Sequence, residues 1–379
     1  MKKTFLLSCL MLAAMPVMAA YTGRVYVDKN KNGVFDPGEK TWAGIKVSDG
    51  LNVVETAADG SFTLPGHERE RFIFITTPSG YKTFNRHYHK IEKKQSGYDF
   101  GLIPYSGRIR KDGSHRYIHI TDTEIFNTEN HADWVNNVRD YARNEQAAFI
   151  IHTGDICYEK GLKAHIKLMN TENMDCPVFY CIGNHDLVKG KYGEELFESI
   201  YGPVYYSFDA GNVHYIVTPM PGGDHAPGYT ADDVCRWLKN DLAHIRPGTP
   251  VVVFNHDLLT YEDAFIFKSK NAGSINLNEH NLKAWVYGHW HINYMKKQGD
   301  VYSVCTSSLD KGGIDHSTTA FRVMHVDSKG DFTSELRYTY LDKNICIASP
   351  AGVMASGVLP VAVNVYSSVS PVKEVLYTC

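Results

Sequence analysis

The sequence predicts an α/β core carried between two β-rich segments, and three patterns predict it. From 117 to 287, apolar strand-like runs alternate with stretches whose apolar residues recur at helical spacing. Residues 21–104 instead hold short β-prone runs divided by turn residues, the pattern of a small β-sandwich. After about 300, strand-like runs resume. The expected division is a leader over 1–20, an N-terminal β-sandwich over 21–104, an α/β domain over 113–310 and a C-terminal β-rich segment over 311–379. Hydrophobic residues are 43% and charged residues 21% of the 379, which is globular usage and excludes wholesale disorder, collagen and a many-span membrane protein. A net charge of -3 provides no basic field, so no specific nucleic-acid partner is expected.

The leader begins with Lys2 and Lys3, continues apolar from Phe5 to Val17, and ends on short residues near Ala19. That is a secretory signal, too short and wrongly flanked for a spanning helix, and the expected destination is a periplasm or cell surface. No other stretch approaches the about 18 apolar residues of a transmembrane helix. Beyond Cys9 in the leader, Cys157, Cys176, Cys181, Cys235, Cys305, Cys346 and Cys379 are widely spaced without a CxxC pair. Scattered buried thiols with at most one bridge are expected.

In the N-terminal segment the β-prone runs are 24–27, 45–47, 53–56, 62–64 and 72–75, with Asp49-Gly50 and Asp59-Gly60 as turns. In the α/β segment they are 117–121, 147–152, 177–182, 213–218, 250–255 and 284–287. A helix is expected where Trp134, Val135, Val138, Tyr141 and Ala142 recur. Another follows the capping pair Thr230 and Asp233, with Val234, Trp237, Leu238 and Leu242 on its apolar face. Later strands are expected at 301–305, 320–326, 335–340, 361–366 and 374–377.

Ligands of open α/β sheets collect beyond the carboxyl ends of strands. Five strand ends here deliver Asp, Glu, Asn or His. They are Asp122-Thr123-Glu124, Gly154-Asp155, Gly183-Asn184-His185-Asp186, Asn255-His256-Asp257 and Gly288-His289-Trp290-His291. Carboxylate, amide oxygen and imidazole together suit two divalent ions such as Mn, Fe or Zn rather than a thiolate-seeking metal. A shared Asp can bridge two ions about 3.5–4 Å apart, which clamp phosphate oxygens and lower the pKa of a bound water toward about 7. The hydroxide then attacks phosphorus in line while a His–Asp pair protonates the leaving oxygen.

In these residues the sequence resembles the calcineurin-like metallophosphoesterases, whose ordered pattern is DxH, GD, GNHD or GNHE, a lone H, then GHxH. The blocks occur in that order from Asp122 to His291. The resemblance implies an αββα sandwich and a hydrolase of phosphomonoesters or phosphodiesters, and the whole arrangement resembles the exported bacterial members with flanking N- and C-terminal β-domains. It implies that Asp122, Glu124, Asp155 and His291 hold one ion and that Asp155, Asn184, His256 and His289 hold the other. It makes His185 the general acid, oriented by Asp186. Glu124 departs from the pattern by standing where the family usually has His, and its carboxylate favours Mn or Fe(II). The substrate would be a small phosphate ester, a lipid or a phosphoprotein. Two alternatives stay open: pyrophosphatase action on nucleotide-sugars or lipids, and a carbohydrate-binding or adhesive surface protein with a vestigial metal site.

A lone His is more often a structural hydrogen-bonder than a ligand, and His119, His152, His316 and His325 are read so. Asp257 either orients His256 or starts a turn. Asp224, His225 and Tyr229 lie in a Gly/Pro-rich loop that either rims a pocket or is plain surface, and Lys311 and Asp315 can approach the site. In the N-terminal segment, 28–39 fit the pattern Asp-x-Asn-x-Asn-Gly-x5-Glu. Asp28, Asn30, Asn32, Asp36, Glu39 and the Val34 carbonyl can encircle Ca²⁺, with Gly33 making the sharp turn. The other reading of this stretch is an Asn/Gly-rich surface turn.

Overall fold

The computed structural model describes residues 20–379 except Ser96, 340–342, 350–356, 358–359, 368–369, 377 and 379. The expected leader, with Cys9, lies outside the described residues apart from Ala20. So do Tyr340, Tyr377 and Cys379 from the expected strands and thiols.

Residues 21–104 form two facing four-stranded sheets. The strands are β1 (Tyr21–Val27), β2 (Lys46–Ser48), β3 (Val53–Glu55), β4 (Ser61–Leu64), β5 (Phe72–Ile75), β6 (Tyr81–Thr83), β7 (Tyr88–Lys90) and β8 (Phe100–Pro104). Their orders are β4-β1-β8-β6 and β3-β2-β5-β7. Alternating residues such as Val25, Val47, Leu64, Ile73, Ile75 and Leu102 meet between them as a closed apolar core. Each such side chain contributes about 1.5–3 kcal/mol on full burial.

The opposite face of β5 is buried as well, because it covers the next domain. Phe72, Phe74 and Tyr88 join that domain's core, and Phe74 lies 6.4 Å from Trp237. Arg71 closes this junction, 2.7 Å from Glu194 and 2.8 Å from Glu198.

The α/β domain contains β9 (His115–Ile120), α1 (Ala132–Asn144), β10 (Phe149–His152), α2 (Tyr158–Leu168), α3 (Thr171–Met174), β11 (Val178–Tyr180), α4 (Glu195–Tyr201), β12 (Tyr206–Ala210), β13 (Val213–Val217) and α5 (Ala231–Ala243). Next come β14 (Val251–Phe254), the short pair β15 (Ile266–Phe267) and β16 (Ile275–Asn276), β17 (Leu282–Tyr287), β18 (Tyr294–Gln298) and β19 (Val301–Cys305). The last strands are β20 (Ala320–Val326), β21 (Phe332–Tyr338), β22 (Lys343–Ser349) and β23 (Ala362–Ser367).

One central sheet runs β11-β10-β9-β20-β21 and the other β12-β13-β14-β17-β19-β18. Aromatic packing joins them edge to face: Phe149 lies 4.9 Å from Tyr215, and Tyr117 lies 5.8 Å from Phe254. Helices α1, α2 and α4 cover the first sheet, while α5 lies on the second. The α5 start carries the expected capping box of Thr230 and Asp233. The result is the expected αββα sandwich.

Strands β20 and β21, at the start of the expected C-terminal β-rich segment, extend the central fold. β20 pairs antiparallel with β9 along Arg322–Val326, so residue 310 falls between strands of one structure. The physical reason is burial on both faces: Phe321 and Val323 pack under the helices while Met324 and Val326 face the other sheet. β22 and β23 form a separate antiparallel hairpin. Glu374–Leu376, expected as strand, is irregular, and Leu376 is 82% exposed. Cys157, Cys176, Cys181, Cys235 and Cys305 are all buried free thiols.

Candidate metal centre

The carboxyl ends of β9, β10 and β11 in one sheet meet those of β14 and β17 in the other. The turns beyond them are tight and strained. Asp122, Glu124, Asp155, His289 and His291 all have left-handed backbones, with φ between 44° and 64°. Such a backbone costs a non-glycine residue roughly 1–2 kcal/mol. Strain of this kind persists where surrounding contacts over-determine it. Two glycines make the close approach possible. A Cβ on Gly288 would lie 1.9 Å from Thr121 Oγ1, and one on Gly183 would lie 2.2 Å from Asp155 Oδ1.

The expected ligands converge as follows. His256 Nε2 is 3.1 Å from Asp155 Oδ2 and 4.0 Å from Asp122 Oδ1. His291 Nε2 is 3.2 Å from Asp122 Oδ1 and 3.4 Å from Glu124 Oε1. Ligand atoms of Asp155, His256 and His289 lie within 4.8 Å of one another. Asn184 sits beside them, since the His185 amide donates to Asp155 Oδ1 at 3.0 Å. The ring of His256 is fixed from behind by the Thr153 carbonyl, 2.7 Å from Nδ1, which leaves Nε2 facing the carboxylates. Asp122 Oδ2 accepts from Thr121 Oγ1 and the His289 amide, which turns Oδ1 toward the His291 and His256 imidazoles.

These contacts concentrate negative charge. Hydrogen bonds to Asp122 and Glu124 raise the His291 pKa to about 10. Burial opposes protonation of His256, but the Asp155 carboxylate overrides it and raises the pKa to about 9. The bond from His291, assisted by the Lys311 ammonium, holds Glu124 down at about 2. Glu124 thus reaches the cluster in the place of the usual imidazole, but it is shared with Lys311.

The donor set fits divalent cations. Asn184 Oδ1 is buried with no hydrogen-bond partner, which costs energy unless a cation satisfies it, and Asp122 Oδ1 and His256 Nε2 are buried against the His291 imidazole at 3.2 Å and the Asp155 carboxylate at 3.1 Å. Oxygen and imidazole donors without a thiolate point to a hard or borderline ion.

Asp186 does not orient His185. Its buried carboxylate accepts from the Cys157 amide at 2.8 Å and the Gly183 amide at 2.9 Å, tying two strand-end turns together. The partner of His185 is Asp224, whose Oδ2 lies 2.8 Å from Nδ1. Burial opposes protonation of His185, and the Asp224 bond overcomes it, so its pKa is raised. Sequence reasoning left Asp224 open because it lies in a long loop after β13, seven residues past the strand. The available signal was that β13 is one more parallel strand end on the same rim.

In the same loop Tyr229 is buried and donates to the Met220 carbonyl, while His225 is exposed. Lys311 pairs with Glu124, whereas Asp315 only accepts from the Ser317 amide in its own turn. His119 bonds Thr153 and Thr306, and His152 bonds Thr123, so both brace the turns from behind. Asp257 takes the Trp290 indole at 3.0 Å.

In the 28–39 loop, Asp28 is buried and accepts from the Asn32 and Gly33 amides. Asn30 and Asn32 both donate to Asp36, and Glu39 accepts from the Lys29 and Asp36 amides. Val34 is exposed. The side chains turn inward, and the loop is closed by its own hydrogen bonds.

Family models match the chain in two places. Residues 29–104 match the N terminal of calcineurin-like phosphoesterase, and residues 115–293 match calcineurin-like phosphoesterase. No curated protein matches the chain. Among solved structures, the chain is similar to a dimetal phosphatase from Danio rerio, with 12% identity, 58% of this chain and 98% of that one covered, and a TM-score of 0.41. It is also similar to an archaeal phosphodiesterase, with 13% identity, coverage of 59% and 99%, and a TM-score of 0.29. A third is the anchor in the inner membrane complex of Plasmodium, with 14% identity, coverage of 66% and 89%, and a TM-score of 0.40.

Proposed function

We propose, for a chain that belongs to the calcineurin-like phosphoesterase family and is a phosphate-ester hydrolase, the hydrolysis of phosphomonoesters or phosphodiesters at the rim between the two central sheets. The observation that carries this reading is the buried, unpartnered Asn184 Oδ1 beside the converging carboxylates and imidazoles of Asp122, Asp155, His256 and His289. Two divalent cations would supply charge neutralisation of the phosphoryl oxygens and an activated water there. Asp122, Glu124, Asp155 and His291 would hold one, and Asp155, Asn184, His256 and His289 the other. His185 binds the leaving oxygen and gives it a proton. Asp224 favours the charged form of His185 and holds Nδ1, so that Nε2 is the nitrogen turned to substrate.

The test is metal analysis with a substrate panel under added Mn, Fe or Zn. About two ions per chain and metal-dependent turnover are expected. Asp155→Asn should abolish both, and full turnover in that variant would sink the reading. Absence of bound metal from the wild type would favour a surface-binding protein instead.

Export is part of the proposal and is supported by the signal-like 1–20. N-terminal sequencing of protein from cell fractions should find a chain starting near Tyr21 outside the cytoplasm. Calcium in the 28–39 loop is supported by its oxygen pattern, and a Kd of about 10⁻⁴–10⁻³ M is expected by calorimetry. Asp28→Asn should abolish that heat.

A further inference from the structure

Two exposed aromatic rings stand beside the proposed general acid. The Tyr158 ring centroid is 5.2 Å from that of His185 at 41°, and Phe126 stacks on Tyr158 at 6.2 Å and 16°. Both are open to water, Phe126 at 54% and Tyr158 at 42%. Most aromatic rings of this domain are buried in its cores, so these two are exceptions.

Their position is built. Phe126 follows Glu124 and Tyr158 follows Asp155, so each ring sits on a turn that carries an expected metal ligand. The Glu124 amide donates to the Asp155 carbonyl at 3.1 Å, which fixes one turn against the other. Cys157 and Tyr158 have φ of 86° and 53°, a backbone that ordinary residues avoid. Asp186, next to His185, holds the Cys157 amide and so maintains that conformation. Gly161 completes the arrangement from below. A Cβ there would meet the Ile125 carbonyl at 2.3 Å and the Ile156 carbonyl at 2.8 Å, so helix α2 can press on both turns. A strained backbone, a buried carboxylate and a close-packed glycine thus all serve to hold two apolar rings out into solvent beside His185.

His185 protonates the leaving oxygen, so whatever lies next to it on the solvent side meets the leaving group. We infer that Tyr158 and Phe126 form a stacking platform that selects phosphate esters with a planar aromatic leaving group, a nucleoside or an aryl alcohol. The inference rests on the hydrolase reading above and deepens it. Flat rings stack offset or edge-on with aromatic partners, and a polyol lacks the π-face to do so. The proposal introduces no new bond-making step: water cleaves the phosphoester, and the proton from His185 goes to the departing oxygen.

The test compares adenosine 5′-monophosphate, phenyl phosphate and glycerol 2-phosphate on the full Mn-loaded chain. The readout is the ratio of kcat/KM for each aromatic ester to that for glycerol 2-phosphate. In Tyr158→Ala at least one ratio should fall about fivefold or more, the low end of what base–aromatic stacking is worth. Phe126→Ala should lower it less, and Tyr158→Phe, which keeps the ring, should restore it. The aromatic ester that loses more identifies a nucleoside or an aryl leaving group. Ratios unchanged within twofold in Tyr158→Ala overturn the proposal. Should none of the three esters be turned over, the hydrolase reading has failed separately. The same ratios are then read as affinities by calorimetry, with the same criterion.

Discussion

Replacing Asp224 by Asn removes one charge and leaves the shape of the His185 partner intact. The Nδ1 to Oδ2 distance is 2.8 Å, the length of a charge-assisted bond, which would be worth about 1.5–3 kcal/mol if buried. The two side chains are 33% and 39% exposed, so water competes, and exposed pairs give about 0.2–1 kcal/mol. A value near 1 kcal/mol follows, or roughly fivefold in the population of the competent state. His185 must be protonated to donate, and Asp224 helps to raise its pKa. The alkaline limb of the kcat profile should therefore move to lower pH in Asp224→Asn. A p-nitrophenolate departs without needing a proton, whereas an alkoxide does not. The loss of kcat should therefore be several-fold on glycerol 2-phosphate and smaller on p-nitrophenyl phosphate. Equal losses on the two esters with an unmoved pH profile would refute the assignment of Asp224.

Arg71→Leu should destabilise the chain by about 3–5 kcal/mol, because it strands the Glu194 and Glu198 carboxylates, 0% and 5% exposed, without their cation. Burial raises the Glu198 pKa to about 7. The stability that its protonated form contributes is therefore present below the unfolded value of about 4.3 and lost as pH rises through 7. Urea melts of metal-free protein should show a smaller Arg71→Leu penalty at pH 5 than at pH 8, and a pH-independent penalty would contradict this. In metal-free protein the raised His256 and His291 values mean that both imidazoles carry protons at pH 7. Cation uptake should release protons, measurable in two buffers of different ionisation enthalpy, and apparent affinity should fall as pH is lowered. The same two histidines stabilise the metal-free chain below about pH 6.5, and that contribution should fade as pH rises through 9–10. Gly288→Ala should lower both metal content and melting temperature, since its Cβ would fall 1.9 Å from Thr121 Oγ1 and 2.5 Å from Asp122 Oδ2. Normal metal content in that variant would show that the turn can relax.

Much of the architecture was legible because it is local. Strand alternation, the helix marked by Trp134 to Ala142, and the Thr230–Asp233 cap are all written within a few residues of the elements they define. The donor residues were legible for a related reason. Each follows a strand directly, so placing the strand places the donor, and Gly154, Gly183 and Gly288 beside them mark the tight turns. The C-terminal strands were not readable in the same way. Nothing within 320–326 says that β20 will lie against β9 some two hundred residues earlier; only the two-sided burial of Phe321, Val323 and Met324 decides it.

The sequence by itself determined the donor types, their order along the chain and therefore the chemistry they suit. Tertiary structure decided which neighbour each of them obtained. Asp186 is adjacent to His185 in the chain, yet a turn aims its carboxylate at the amides of Cys157 and Gly183. Asp224, thirty-nine residues away, takes the imidazole instead. Lys311 and Glu124, Tyr158 and His185, and Arg71 and Glu194 are likewise partners across loops or domains. Residue type and spacing are fixed by covalent connectivity. Side-chain pairing at a site depends on where separate loops converge, and that is settled when the two sheets pack and bring their strand ends to one rim.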